Sequence, residues 1–224
     1  MEYANNFVFF QYNLLEQEKT CTFALEKYRE MVTIRQAHFN DAAYIAEGIY
    51  EAFLLTGSDL ENDPTFRHRW LDTLTTVCAQ PDTHYSYTNT LVAEMDGKIA
   101  GIMIAIDGKN YRIQREKMYP QLKLLFDEAF GVGWEDMEDE AQEGELYVDS
   151  LAVFMLYRHQ GIGTKLLLHA KTRAKELGIP MVTLAVEPMN PAKILYQELG
   201  FRYNRPITIF NEEYHLYVAD AYEK

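Results

Sequence analysis

The sequence predicts one α+β domain on a mixed sheet, with helices on both faces. Three observations carry that prediction. Apolar runs of strand length are interleaved with amphipathic helical stretches from residue 31 onward, which is the pattern of helices packed on a sheet. Two runs, Gly101–Ile106 and Leu146–Phe154, are apolar at most positions, as strands covered on both faces are. The chain has 224 residues and is 48% hydrophobic, enough for one sizeable core.

The elements follow in order. Residues 1–30 read as an N-terminal extension, and Leu14 to Tyr28 has only weak helical periodicity. It is either a small docking element or the product of an upstream start codon. Val32–Arg35 alternates as a strand, and Asn40 or Asp41 caps a helix that Gly57 stops. Asp63-Pro64 opens a second helix to about Ala79, with Pro64 in the first turn, where its missing N–H costs nothing. Asn89–Glu94 and Lys98–Ile106 flank Met95-Asp96-Gly97, a hairpin signal. A long insertion spans about 107–144: a helix over Ile113–Phe130, then an acidic run from Glu135 to Glu145 that is either a solvated loop or a substrate lid. Leu146–Phe154 is a strand, and the polar turn Arg158-His159-Gln160 leads into a helix opened by Gly161 and Gly163 and ended by Gly178. Met181–Val186 is its parallel partner strand. Asn190-Pro191 opens a last long helix ended by Gly200, and two strands follow over 201–204 and 214–219.

The chemistry sits in the turn after Leu146–Phe154. The first N–H groups of a helix have no partner inside it, and the helix dipole is positive there. Glycines let a ligand approach the backbone, so a strand, a glycine turn and a helix start make a phosphate site. A dinucleotide fingerprint would need glycine where Leu166 stands, and a P-loop would need Lys before Thr, whereas Thr164 precedes Lys165.

Arg158-x-x-Gly161-x-Gly163 resembles the acetyl-CoA pyrophosphate loop of the GNAT N-acetyltransferase superfamily. Asn190-Pro191-Ala192-Lys193-Ile194-Leu195-Tyr196 through Gly200-Phe201 is similar to that superfamily's last helix and its exit, at the right distance. The resemblance covers about Met31 to Asp220. It implies the acyl-CoA N-acyltransferase fold, whose two parallel strands splay apart, with residues 31–224 as the acetyltransferase domain. It implies acetyl-CoA as co-substrate and transfer of its acetyl group to a primary amine, on a small molecule or a peptide, by direct attack in a ternary complex. In this pattern Leu151, Ala152 and Val153 hold the pantetheine arm. The stretch His159, Gln160, Gly161, Ile162, Gly163 and Thr164 holds the pyrophosphate, with Arg158 adding charge. Asn190 contacts the cofactor, caps its helix, or does both. Tyr196 protonates the leaving thiolate. Asp149 or Glu145, which share a side with Tyr147 on a regular strand, is the base for the ammonium, or no dedicated base exists. Phe53, Trp70, Tyr85, Tyr87 and Tyr111 are either substrate-side or ordinary core and strand-end aromatics. His84 and His215 have no motif around them. The alternative reading is a catalytically silent CoA-binding regulatory or scaffold protein of the same fold. The resemblance also implies a homodimer paired through the last strands.

Composition sets further expectations. The net charge of −13 argues against nucleic acid as substrate and suits cationic amines. No apolar stretch approaches the ~20 residues needed to cross a bilayer. Phe7–Phe10 is too short for a signal-peptide core, and Cys21 and Cys78 show no metal spacing, so a cytoplasmic protein with reduced thiols and no metal is expected.

Overall fold

The computed structural model describes residues 32–53, 63–131 and 138–223. The expectations for Leu14–Tyr28 and Gly57 lie outside the described residues. A seven-stranded mixed sheet carries the fold, in the order β1-β2-β3-β4-β5-β7-β6. The strands are β1 (Val32–Gln36), β2 (Thr90–Met95), β3 (Lys98–Asp107), β4 (Glu145–Val153), β5 (Met181–Val186), β6 (Arg202–Ile209) and β7 (Glu212–Asp220). Helices α1 (Ala42–Phe53), α2 (Pro64–Cys78) and α3 (Tyr111–Phe130) cover one face, and α4 (Ile162–Glu176) and α5 (Lys193–Glu198) cover the other.

Local chemistry explains most boundaries. Asp63 caps α2 by accepting from Thr65 N at 2.8 Å, with Pro64 behind it. Asp96 and Gly97 both take positive φ, as the two-residue β2–β3 hairpin requires. Gly131, at φ 66°, closes α3.

Three expectations on boundaries are corrected. Neither Asn40 nor Asp41 is the cap of α1. A 3-10 turn, Phe39–Asp41, precedes the helix, because Arg35 (2.7 Å) and the His38 N–H (2.7 Å) draw in the Asp41 carboxylate. The last helix is short. Residue 190 precedes a proline and resists the α conformation, while its Oδ1 accepts from Ala192 N at 2.9 Å; both hold 190–192 as a turn. The last two strands are longer than expected and meet in a hairpin whose turn residues, Phe210 and Asn211, have φ 50° and 62°.

The strand β4 is the axis of the molecule. Its pairing with β3 slips between Ile104 and Ala105: Ile104 faces Ser150 and Ala105 faces Val148. Asp149 is therefore the extra residue of a β-bulge. Leu146 and Val148 pack on the α4 side before the bulge, and Leu151 and Val153 do so after it. The alternation changes phase at Asp149, so β4 is not the regular strand that the sequence suggested.

Two glycines allow the close packing around β4. A Cβ on Gly48 of α1 would lie 2.3 Å from Ile102 Cγ1, and one on Gly101 would lie 2.7 Å from the Ala152 carbonyl oxygen. The second obstacle is backbone and cannot rotate away. Gly101→Ala is expected to lower the stability by about 1–3 kcal/mol, as overpacking does, read as a fall in the midpoint of urea unfolding with an unchanged slope.

The Arg35 guanidinium bonds Asp41 and also Glu94 at 2.7 Å, joining β1, β2 and the entry to α1. Burial alone would raise Asp41, but the bonds from Arg35 and the His38 N–H outweigh it and hold the carboxyl below its usual value. A depressed acid stabilises the fold above its unfolded pKa, and that stabilisation is lost as pH falls through the folded value. The stability difference between the wild type and Arg35→Ala should therefore be full at neutral pH and shrink below about pH 4, measured by thermal melts across pH.

Candidate active site

The strands β4 and β5 pair in parallel only from Glu145↔Met181 to Val148↔Leu184. Beyond that, β4 runs on to Val153 bonded to β3 alone, and β5 turns to β7. The gap is the mouth of a cleft of about 830 Å³, lined from Leu151 and Val153 on one side to Ala185 and Val186 on the other.

One end of the cleft is the glycine turn. Gly161 sits at φ 76° as the residue before α4, and His159 is also left-handed at φ 61°. The first backbone donor used within the helix is Lys165 N, which bonds the Gly161 oxygen at 3.1 Å. Among the described residues, the N–H groups of Ile162, Gly163 and Thr164 have no backbone partner, as at any helix start. Arg158 stands beside them, its guanidinium donating to the Val153 oxygen at 2.9 Å and pairing with Glu51 at 3.2 Å.

The other end is built from carboxylates and phenols. Asp149 Oδ1 lies 2.9 Å from His84 Nε2, and Ser150 Oγ donates to Asp149 Oδ2 at 2.7 Å. His84 is 2% exposed, and its Nδ1 has no partner among the described residues. The contact with Asp149 fixes the orientation of the ring through Nε2 and leaves Nδ1 on its other side. Glu140 accepts from Tyr111 Oη at 2.9 Å and from Tyr147 Oη. Burial, then the neighbouring Asp149 charge, raises the Glu140 carboxyl above its usual range. Burial also holds the phenols of Tyr85, Tyr111 and Tyr147 well above theirs. Phe210, at the tip of the β6–β7 hairpin, stacks on Phe130 with centroids 4.0 Å apart and closes this end.

Most of the residues named from the sequence meet in this cleft. Leu151, Ala152, Val153, Arg158, His159, Gly161, Ile162, Gly163, Thr164, Asn190, Tyr196 and Asp149 all line it. Tyr196 lines the cleft from α5, and burial raises its phenol above its usual pKa. Two residues are not brought in. Gln160 turns its amide back to the Leu156 oxygen at 3.3 Å. Glu145 accepts from Gln142 N at 3.1 Å and borders a separate, smaller cavity. The bulge separates Glu145 from Asp149, for the two share a side only on a regular strand. Phe53, Tyr85 and Tyr111 line the cleft, whereas Trp70 is fully buried in the core and Tyr87 lies in a 3-10 turn.

His84 and Glu140 were missed. His84 lies in a loop after α2 with no motif to mark it. Glu140 belongs to the acidic run, where nothing separates it from its neighbours in the sequence. Its placement comes from α3: Arg112 and Arg115 (3.0 Å) both hold Asp139, which turns the next residue into the cleft. Among the described residues, no group of His, Cys, Asp and Glu is arranged to hold a metal, and Cys78 is buried, which pushes its thiol up. No helix of the described residues is long and apolar enough to cross a membrane.

Comparison with known proteins gives a consistent result. The sequence profile of the acetyltransferase (GNAT) family matches residues 47–201. No curated protein matches the sequence. Among solved structures, one described as an acetyltransferase is 28% identical with a TM-score of 0.65, over 84% of this chain and 99% of its own. An N-acetyltransferase from Staphylococcus aureus Mu50 is 25% identical with a TM-score of 0.68, over 84% of this chain and 100% of its own. The PaiA N-acetyltransferase from Thermoplasma acidophilum, solved in complex with coenzyme A, shares the fold at 15% identity and a TM-score of 0.51, over 84% and 98%.

The left-handed conformation at Gly161, at φ 76°, costs any L-residue roughly 1–2 kcal/mol. Gly161→Val is expected to lower affinity for CoA at least tenfold in calorimetry while the far-ultraviolet spectrum stays that of the wild type.

Proposed function

The chain belongs to the acetyltransferase (GNAT) family, and we propose on that footing that it transfers the acetyl group of acetyl-CoA to a primary amine by direct attack within a ternary complex. The parting of β4 from β5 is the observation that carries the proposal. It leaves one edge of β4 unpaired from Asp149 to Val153, in the same cleft as the glycine turn, Tyr196 and His84. The residues present fit acetyl-CoA. The spare N–H groups of Ile162, Gly163 and Thr164, with Arg158, suit a pyrophosphate, and the β4 edge suits the amide-bearing pantetheine arm as an added strand. The Thermoplasma relative was solved with coenzyme A, in keeping with this reading.

The chemistry asks little of the protein, since the thioester is already activated. An alkylammonium of pKa ~10 must first lose a proton. Asp149 and His84 supply the acceptor: the carboxylate fixes the imidazole, whose free Nδ1 can take the proton. The amine lone pair then attacks the thioester carbonyl, whose developing oxyanion is met by a backbone N–H near Leu151. The C–S bond breaks, Tyr196 gives its phenolic proton to the leaving thiolate, and the second proton of the attacking nitrogen passes to the Tyr196 phenolate, so that the neutral amide, the free CoA thiol and the restored phenol result. A phenol whose pKa is raised by burial stays protonated through the physiological range and can serve as that donor.

The test is release of free thiol from acetyl-CoA with a panel of amines. Tyr196→Phe should lower kcat roughly 100-fold with CoA affinity nearly unchanged. His84→Ala and Asp149→Asn should each lower kcat/KM by a similar factor. Because burial raises the Tyr196 phenol above its usual pKa, kcat should show no fall attributable to this donor across the neutral range, and any such fall should come at a higher pH than an ordinary phenol would give. Tight CoA binding without thiol release from any amine would instead favour the silent scaffold reading.

A further inference from the structure

The acceptor end of the cleft is more acidic than amine transfer requires. Four carboxylates line the cleft: Glu51 beside Arg158 at the glycine turn, and Glu140, Asp149 and Glu187 elsewhere along it. Two arginines line it, but Arg158 pairs with Glu51 and Arg115 pairs with Asp139. Among the described residues, Glu140 has no Lys, Arg or His within ion-pair distance, and Asp149 has His84 alone. Glu140 is held by two phenol donors, an arrangement that fixes its oxygens without neutralising them. His84 lines the same cleft, and its buried Nδ1 has no partner among the described residues. Around them stand Tyr85, Tyr111, Tyr147, Tyr214 and Phe210, whose ring faces favour a cation.

Asp149 with His84 has a task in the proposed reaction, which is to take a proton from the attacking amine. Glu140 has none. A carboxylate raised by burial and by a like charge is relieved by a cation that stays charged.

We propose that the acceptor is a dicationic amine, with one amino group attacking at Asp149 and His84 and a second group, an ammonium that keeps its proton, held by Glu140 and the surrounding rings. This deepens the acetyl-transfer reading and rests on it. Glu140 is a specificity-determining residue, delivered by the inserted helix α3 through its hold on Asp139.

The test compares 1,4-diaminobutane with 1-aminobutane, and longer homologues of each, in two measurements on the full chain: thiol release from acetyl-CoA, and calorimetric binding to the protein with and without CoA. In the wild type the diamine series should exceed the monoamine series about tenfold or more in kcat/KM and in affinity, as one charge-assisted bond gives. Glu140→Gln should compress that ratio to about twofold or less. Equal handling of diamines and monoamines by the wild type in both measurements overturns the proposal, and needs no variant to fold. A preserved ratio in a folded Glu140→Gln overturns the assignment to Glu140. Should no amine release thiol, the acetyl-transfer reading fails, and the calorimetry still decides: selective diamine binding supports the dicationic site, and its absence removes it.

Discussion

The separation of β4 from β5 after Val148 is the constraint on which the rest of the molecule depends. A parallel pair that stops early leaves backbone donors and acceptors inside a cleft, and such groups must find partners in water or in a ligand. Everything nearby serves to hold the strands apart without loosening them. β3 keeps β4 bonded along its other edge as far as Val153, and β7 does the same for β5 as far as Val186. Helix α1 lies on β3 closely enough to need glycine at position 48, and α4 packs Ile162, Leu166 and Leu167 against the opposite face. The unpaired edge is thus carried by a rigid frame, and a ligand lying along it would lose little in ordering the protein.

The bulge at Asp149 matters as much as the gap. It puts one extra residue into β4 at the point where β5 departs, and so gives two different orientations to the two halves of the strand. Tyr147, before the bulge, reaches the inserted segment and Glu140. Leu151 and Val153, after it, face α4 and the glycine turn. Asp149 itself belongs to neither set and meets His84 from a loop that the sequence places 65 residues away. The acceptor chemistry is assembled at this irregularity, from β4, the loop after α2, and the segment that α3 holds in place.

The fold was legible in the sequence because its signals are local. Pro64 after Asp63, Gly97 in the first hairpin, Gly131 after α3 and Gly161 before α4 mark boundaries by backbone chemistry that only those residues satisfy easily. The anion end of the cleft was legible for the same reason: a glycine turn between a strand and a helix is contiguous in the chain. The acceptor end was not. His84 is one histidine in a loop, and Glu140 is one acid among many; each gains its place from a tertiary contact, the first with Asp149 and the second through Asp139 and two arginines. Glu145 read as the equal of Asp149 because a strand drawn as regular puts both on one side, and a bulge leaves no mark in composition. The β6–β7 turn escaped for a related reason. Phe210 and Asn211 adopt left-handed φ without a glycine, and the phenylalanine is held there by stacking on Phe130 rather than by local preference.

The charge distribution joins the two ends of the cleft. A net charge of −13 would by itself repel an anionic nucleotide thioester. At physiological salt that field is screened within about 8 Å, so the groups in direct contact decide. At the glycine turn these are backbone N–H groups and Arg158, which Glu51 already holds in position. At the other end they are carboxylates whose attraction for an ammonium is strengthened by the apolar walls of Phe53 and Phe210 and by the distance from bulk water. Under the proposed reaction, a cleft polarised in this way would sort its two ligands by charge before shape is tested, and would bring an anionic donor and a cationic acceptor together along the unpaired edge of β4.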